Sequence, residues 1–269
     1  MKSLVLYGAF FLIISALNAQ VWAVDPLEPI YLDKNNTQQF SKKLSLDYAK
    51  NGEVAVHILV KVPKDDAFNL RFTLDGKSIS GELSQLLAVP VEQNTGLDSR
   101  TEQFINKKNP FVIRRAPFDI FEVIKPVKTN QFVQESTFSA YRLVIPQSEI
   151  SSAKKHSLNI LLDSDGDEYK TSFSFRQHQI SIPKLEKSNF FYTNWYSLGK
   201  METYHNVERW TKEWYTILDA YAKLMAKGRQ NSITLPRELL YVKNGEIILE
   251  EAKMLEFINV FRKYGFTYF

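Results

Sequence analysis

The stretch Val54-Ala55-Val56-His57-Ile58-Leu59-Val60-Lys61-Val62 decides the first part of the fold. Side chains on an extended strand alternate between two faces. Val54, Val56, Ile58, Val60 and Val62 therefore predict one buried face of a β-strand. Working outward, Leu70, Phe72 and Leu74 repeat the alternation, and Asp75-Gly76 reads as a turn. Tyr141, Leu143 and Ile145 alternate again and stop at Pro146. Leu158, Ile160 and Leu162 face one way. Tyr169, Thr171, Phe173 and Phe175 answer them across an acidic turn at 163–168. Short strands punctuated by turns predict a mainly antiparallel β-sandwich over residues 24–184. Residues 92–135 show no clear period and read as long loops.

The period changes near residue 185. Residues 190–197 form an aromatic strand candidate. Val207, Trp210, Trp214, Ile217, Leu218, Tyr221, Leu224 and Met225 then recur at spacings of three and four, which is one face of a helix. Asn206 or Thr211 can cap its start and Gly228 its end. Residues 232–235 read as a second strand, stopped by Pro236. Met254, Phe257, Ile258 and Phe261 mark a second helix over 250–264, and residues 266–269 a third strand. Strand, helix, strand, helix, strand predicts parallel pairing through right-handed crossovers. A closed barrel of eight such units takes about 200 residues or more. Residues 185–269 are therefore expected to be the incomplete opening of a (β/α)8 barrel.

The chain of 269 residues opens with Lys2 and an apolar run over 4–17, followed by Val21-Trp22-Ala23. This is the pattern of a leader peptide, residues 1–23, cleaved after Ala23 or, as the second choice, after Ala19. The mature chain is expected in the periplasm or outside the cell, with no membrane span. The absence of cysteine excludes disulfide scaffolds, thiolate metal sites and cysteine nucleophiles, and it favours a bacterial envelope over a eukaryotic secretory route. The net charge is +4, carried by scattered rather than clustered basic residues, so no nucleic-acid partner is expected.

Neither acidic pair has the placement that catalysis needs. Asp167-Glu168 sits in a hairpin turn, and Glu250-Glu251 at a helix start, where negative charge suits the helix dipole. The 163–168 segment lacks the glycine and the glutamate at the positions a calcium loop requires. His57, His156, His178 and His205 have no ligand-like spacing, and His57 reads as a surface or rim residue. No metal and no cofactor is expected. The informative run is Phe190-Phe191-Tyr192-Thr193-Asn194-Trp195-Tyr196-Ser197, continuing to Tyr204-His205-Asn206. Sugars need aromatic faces for their C–H patches and amides or imidazoles for their hydroxyls. Asn194, Trp195, Tyr204 and His205 are the candidate sugar-binding residues. Trp210 and Trp214 read as helix core.

These residues also carry a resemblance. Tyr192 to Ser197, Tyr204 to Glu208, Trp214, Leu224-Met225 and Arg229-Gln230-Asn231 resemble the first βα unit of glycoside hydrolase family 123 and its bacterial relatives. The resemblance covers about residues 185–269 well and the sandwich in outline. It implies a β-sandwich followed by a (β/α)8 barrel. It also implies a β-N-acetylgalactosaminidase-like hydrolysis, in which the 2-acetamido oxygen of the substrate attacks the anomeric carbon. In the family an Asp-Glu pair serving that step follows a later strand, so no catalytic residue maps onto this chain. The expectation is an exported, truncated glycosidase-like protein that is inactive alone and whose partner is a glycan ending in N-acetylhexosamine. The alternatives are a non-catalytic carbohydrate-binding or adhesion module, and a purely structural envelope protein.

Overall fold

The computed structural model describes residues 19–33, 40, 44–93, 112–150 and 155–269. The expected leader lies outside them up to residue 18. The chain divides into two compact units, Met1–Ser181 and Ile182–Phe269.

The first unit holds strands β1 (Gln20–Val24), β2 (Ser45–Lys50), β3 (Val54–Lys61), β4 (Ala67–Leu74), β5 (Lys77–Ser78) and β6 (Glu82–Val91). They are followed by β7 (Phe118–Pro126), β8 (Gln131–Val133), β9 (Ser139–Ile145), β10 (Lys155–Ser164) and β11 (Asp167–Ser181). One sheet has the order β1-β3-β9-β6-β7. The other runs β2-β11-β10-β4-β5, with β8 paired to β4. All of these ladders are antiparallel except β2 with β11, which is parallel.

The two sheets share one core. Val54, Val56, Ile58, Val60, Tyr141, Leu143 and Ile145 come from the first sheet. Leu70, Phe72, Leu74, Leu158, Ile160, Leu162, Phe173 and Phe175 come from the second. The facing residues of the β10–β11 hairpin meet in register, Leu158 with Phe173 and Leu162 with Tyr169. Its turn is Asp165-Gly166, with φ of 51° and 84°, a two-residue connection whose twist matches the strands it joins. Asp163 and Glu168, at the base of this hairpin, both bind the Arg71 guanidinium, at 2.7–2.8 Å. This acidic cluster is therefore a cross-strand ion pair.

Strand β3 is buried on both faces. The core lies on one side. On the other, Leu59 joins Val24, Ile30, Leu86, Phe121, Phe138 and Ala140 in a second apolar cluster. Alternation alone assigned that face to solvent. Residues drawn from β1, β6, β7 and the connections cover it instead. All of strand β1 but Val24 lies inside the span expected as leader, and its Val21 and Ala23 are core residues.

The second unit contains α1 (Leu198–His205), α2 (Lys212–Lys227), the hairpin β12 (Leu240–Lys243) and β13 (Glu246–Leu249), and α3 (Glu251–Arg262). Thr211 caps α2 through its hydroxyl, which accepts the Trp214 amide. The helices bury Trp214, Leu218, Ala222, Phe257 and Phe261 against Met201, Ile233 and Phe266. Each large side chain buried this way is worth about 1.5–3 kcal/mol.

The expected (β/α)8 barrel is not formed. Among the described residues of this unit the one strand ladder is β12 with β13, and it is antiparallel. Residues 190–197 are neither helix nor strand and belong to no ladder, and 232–235 and 266–269 meet in a single parallel bridge, Ser232 with Tyr268. The aromatic content of 190–197 suggested a strand, but a barrel strand buries its side chains on both faces. Here Phe190, Phe191 and Trp195 are exposed, Trp195 completely at 102 %.

One titration follows from the two-faced burial of β3. His57, half-buried opposite Arg142 of β9, has its pKa pushed down to about 4, chiefly by burial and then by the Arg142 charge, with Asp25 opposing. Its unfolded value is about 6.5. The unfolded chain therefore takes up a proton that the folded chain refuses. The contribution is intact above pH 6.5 and is lost as the pH falls toward 4. The urea midpoint should drop between pH 6.5 and 5, above the carboxylate range, and His57→Gln should flatten that drop. An equal drop in the variant would refute the assignment.

Candidate functional site

The site is built in the second unit around a buried amide. Asn231 is fully buried, one residue beyond the turn that closes α2. Its Oδ1 accepts the Tyr192 amide at 2.9 Å, and its Nδ2 donates to the Phe190 carbonyl at 2.8 Å. Its own N–H donates to the Tyr192 carbonyl, and its carbonyl accepts the amides of Thr267 and Tyr268. A side-chain amide thus pairs the 190–192 backbone as a neighbouring strand would. The sequence after Tyr192 is thus anchored at its start and is in no strand ladder.

A cleft of about 730 Å³ opens along this segment. Trp195, Tyr196, Tyr204 and Tyr221 supply aromatic surface, and Thr193, Asn194, Ser197, Lys200 and Thr234 supply polar groups. Ser197 also caps α1, accepting the Lys200 amide at 3.2 Å, which sets where Lys200 and Tyr204 project from the helix. Asn194 donates from Nδ2 to the Tyr192 phenol at 2.9 Å, so its amide is oriented before any ligand arrives. The Tyr196 and Tyr221 rings lie 5.4 Å apart. The Tyr196 hydroxyl donates to the Met201 sulfur. Burial holds the Tyr196 phenol well above the usual range, with Tyr221 and Glu202 adding to the shift. It is a neutral hydrogen-bonding group, not a base.

Of the four candidates, Asn194, Trp195 and Tyr204 come together in this cleft. His205 does not line it. Its Nε2 lies 3.1 Å from the Tyr221 hydroxyl, so it touches the cleft only through that ring. Tyr221 and Asn231 were not singled out as site residues. Tyr221 read as part of the helical stripe, and Asn231 appeared only within Arg229-Gln230-Asn231. Nothing local in the sequence marks Asn231, whose side-chain partners Tyr192 and Phe190 lie 39 and 41 residues earlier.

Among the described residues no Asp or Glu lines the cleft. Glu202, whose charge is felt at Tyr196, is committed elsewhere. It pairs with Arg209, and it accepts the Trp214 indole N–H at 3.0 Å. Arg209 also pairs with Glu238. Among the described residues no group of His, Cys, Asp and Glu could hold a metal ion, and no helix is long and apolar enough to cross a membrane.

No family model matches the sequence, and no curated sequence matches it. A structural likeness exists to a family 123 glycoside hydrolase from Clostridium perfringens, solved in a study of glycolipid glycan hydrolysis. The TM-score is 0.65 at 12 % identity, over 93 % of this chain and 46 % of that one. The chain thus spans less than half the length of that hydrolase, and at this identity the likeness is one of fold. Two further structures are an endo-β-1,4-mannanase from Thermotoga petrophila (TM-score 0.26, 10 % identity, 51 % of this chain and 18 % of that one) and the titin M3 domain (0.24, 7 %, 56 % and 97 %). Likenesses at such scores carry no argument.

The strap is testable. Asn231→Leu keeps the volume but leaves the Tyr192 amide and the Phe190 carbonyl unpaired. An unpaired buried group costs about 1–3 kcal/mol. Hydrogen exchange should show amides across 190–196 losing protection while β3 and β9 keep theirs. Unchanged protection at Tyr192 would contradict the role given to Asn231.

Proposed function

We propose that this chain is an exported, glycosidase-related protein that binds a sugar in the cleft along residues 192–197 and does not hydrolyse it. The observation that carries the reading is the lining. A fully exposed Trp195 stands beside Tyr204, Tyr196 and Tyr221, with an oriented Asn194 amide among them and no carboxylate. Sugar rings present apolar C–H faces that pack on aromatic rings, and hydroxyls that bond to amides and hydroxyl groups. The fold likeness to a glycoside hydrolase supports a carbohydrate over a planar aromatic ligand. The terminal unit of that glycan is N-acetylhexosamine in this reading.

The lining of the cleft supports binding without turnover. Hydrolysis with help from the substrate's acetamide still needs an acid to protonate the leaving oxygen, and losing that help costs about 10²–10⁴-fold. Tyr196 is held neutral, and Glu202 is occupied by Arg209 and Trp214. Export would place the cleft where free glycans occur. Removal of the leader between Ala19 and Gln20 preserves β1, whereas cleavage after Ala23 leaves only Val24 of it.

Three outcomes are expected. N-acetylgalactosamine or N-acetylglucosamine should bind in calorimetry, and Trp195→Ala should weaken binding at least about tenfold, equivalent to about 1.4 kcal/mol. Undiminished affinity in that variant would remove the stacking platform. Purified protein should leave 4-nitrophenyl N-acetyl-β-galactosaminide intact, and steady release of nitrophenol would overturn the non-catalytic reading. N-terminal sequencing of protein from the native host should begin at Gln20. A start at Val24 would show that β1 is dispensable.

A further inference from the structure

A second cleft of about 730 Å³ lies in the same unit, at the start of the strapped segment. Lys187, Asn189, Phe190, Tyr192 and Arg229 line it, and again no Asp or Glu does among the described residues. We propose that this cleft is a second sugar subsite that takes a negatively charged unit, so that the ligand of the chain is an acidic glycan. The inference rests on the sugar reading of the first cleft and extends it.

Three observations carry it. The first is charge without a counter-charge. Lys187 and Arg229 come from separate segments and converge on one cavity. Among the described residues neither has a carboxylate partner. Arg229 spends one nitrogen on the Pro183 carbonyl, at 2.8 Å, and that bond leaves the positive charge uncompensated. A guanidinium offers five N–H donors in a fork suited to a carboxylate or sulfate. The second is the backbone of Arg229, whose φ of 66° lies in the left-handed region. Glycine or asparagine takes that region readily. An arginine there pays a steric penalty that neither of them would, so the side chain is the reason to look for a role.

The third is continuity. Phe190, 75 % exposed, offers this cleft an apolar face beside Tyr192. The Tyr192 phenol accepts the Asn194 amide of the first cleft. Tyr192 lines the second cleft and Asn194 the first, so the hydrogen-bonded pair joins the two. Neighbouring units of one oligosaccharide can therefore occupy the two clefts with the Tyr192–Asn194 pair between them. A neutral glycan would leave Lys187 and Arg229 without a use.

The probes are a disaccharide of N-acetylgalactosamine and glucuronic acid, and the same disaccharide with its carboxyl reduced to the alcohol. Calorimetry at low salt should show the acidic form binding at least about tenfold tighter, with the margin shrinking as salt screens the charge. Lys187→Ala, at an exposed position, should erase most of the margin by weakening the acidic form far more than the reduced form. Arg229→Asn, which tolerates the left-handed backbone, should do the same. Trp195→Ala should weaken both probes alike. Equal affinity for the two probes, with binding still dependent on Trp195, would overturn the acidic subsite and leave the sugar reading standing. Acid-selective binding that ignores Trp195 but needs Lys187 would support the subsite and count against the first cleft. Failure of both probes to bind would overturn both.

Discussion

One residue holds the C-terminal unit in the shape that makes it interesting. Asn231 takes part in five hydrogen bonds, with the Tyr192 amide and carbonyl, the Phe190 carbonyl, and the amides of Thr267 and Tyr268. Three segments distant in sequence meet at it. A complete ladder would satisfy these backbone groups with many residues. Here one buried asparagine does so, two of the bonds through its side-chain amide and three through its backbone. The cost of that economy is concentration: removing one side chain orphans two backbone groups at once.

The two clefts are consequences of this arrangement. A strand inside a sheet has neighbours on both edges and packed faces. A segment strapped at one point can expose aromatic faces along its length, as Phe190 and Trp195 do. Stability is supplied next door, where Trp214, Leu218, Phe257 and Phe261 are buried and Glu202 locks Arg209 to the Trp214 indole. The same lock takes up the carboxylate at Tyr196. That commitment of Glu202 supports the proposal that the cleft holds a sugar rather than cuts one.

Much of the first unit was legible because its strands have one wet face or a clean alternation. Val54 to Val62, Leu70 to Leu74, Tyr141 to Ile145 and the 158–175 hairpin all appear as strands. What failed to show was pairing of weaker pattern. Strands β6 and β7 mix polar and apolar residues without a clear period, and β1 was absorbed into the apolar run that precedes it. In the second unit, α2 and α3 were visible from their apolar stripes, whereas α1 and the β12–β13 hairpin were not. The barrel expectation erred because extended backbone and a parallel sheet leave the same local trace. Whether 190–197 finds partners along its length depends on residues far away, and here Asn231 takes their place. Of the candidate site, Asn194, Trp195 and Tyr204 were readable as sugar-type chemistry. His205 was not separable from them by sequence, because its distance from the cleft is set by the α1 C-terminus and by Tyr221.

The central claim is that the strapped segment is where a sugar is held. The most direct measurement is a ¹H–¹⁵N titration of the full chain with N-acetylgalactosamine. The account predicts that the Trp195 indole, the Asn194 side-chain amide and the backbone amides of 193–197 shift together along one binding curve, while the resonances of β3, β9 and β10 stay in place. Shifts confined to the sandwich strands, or none at saturating sugar, would contradict it.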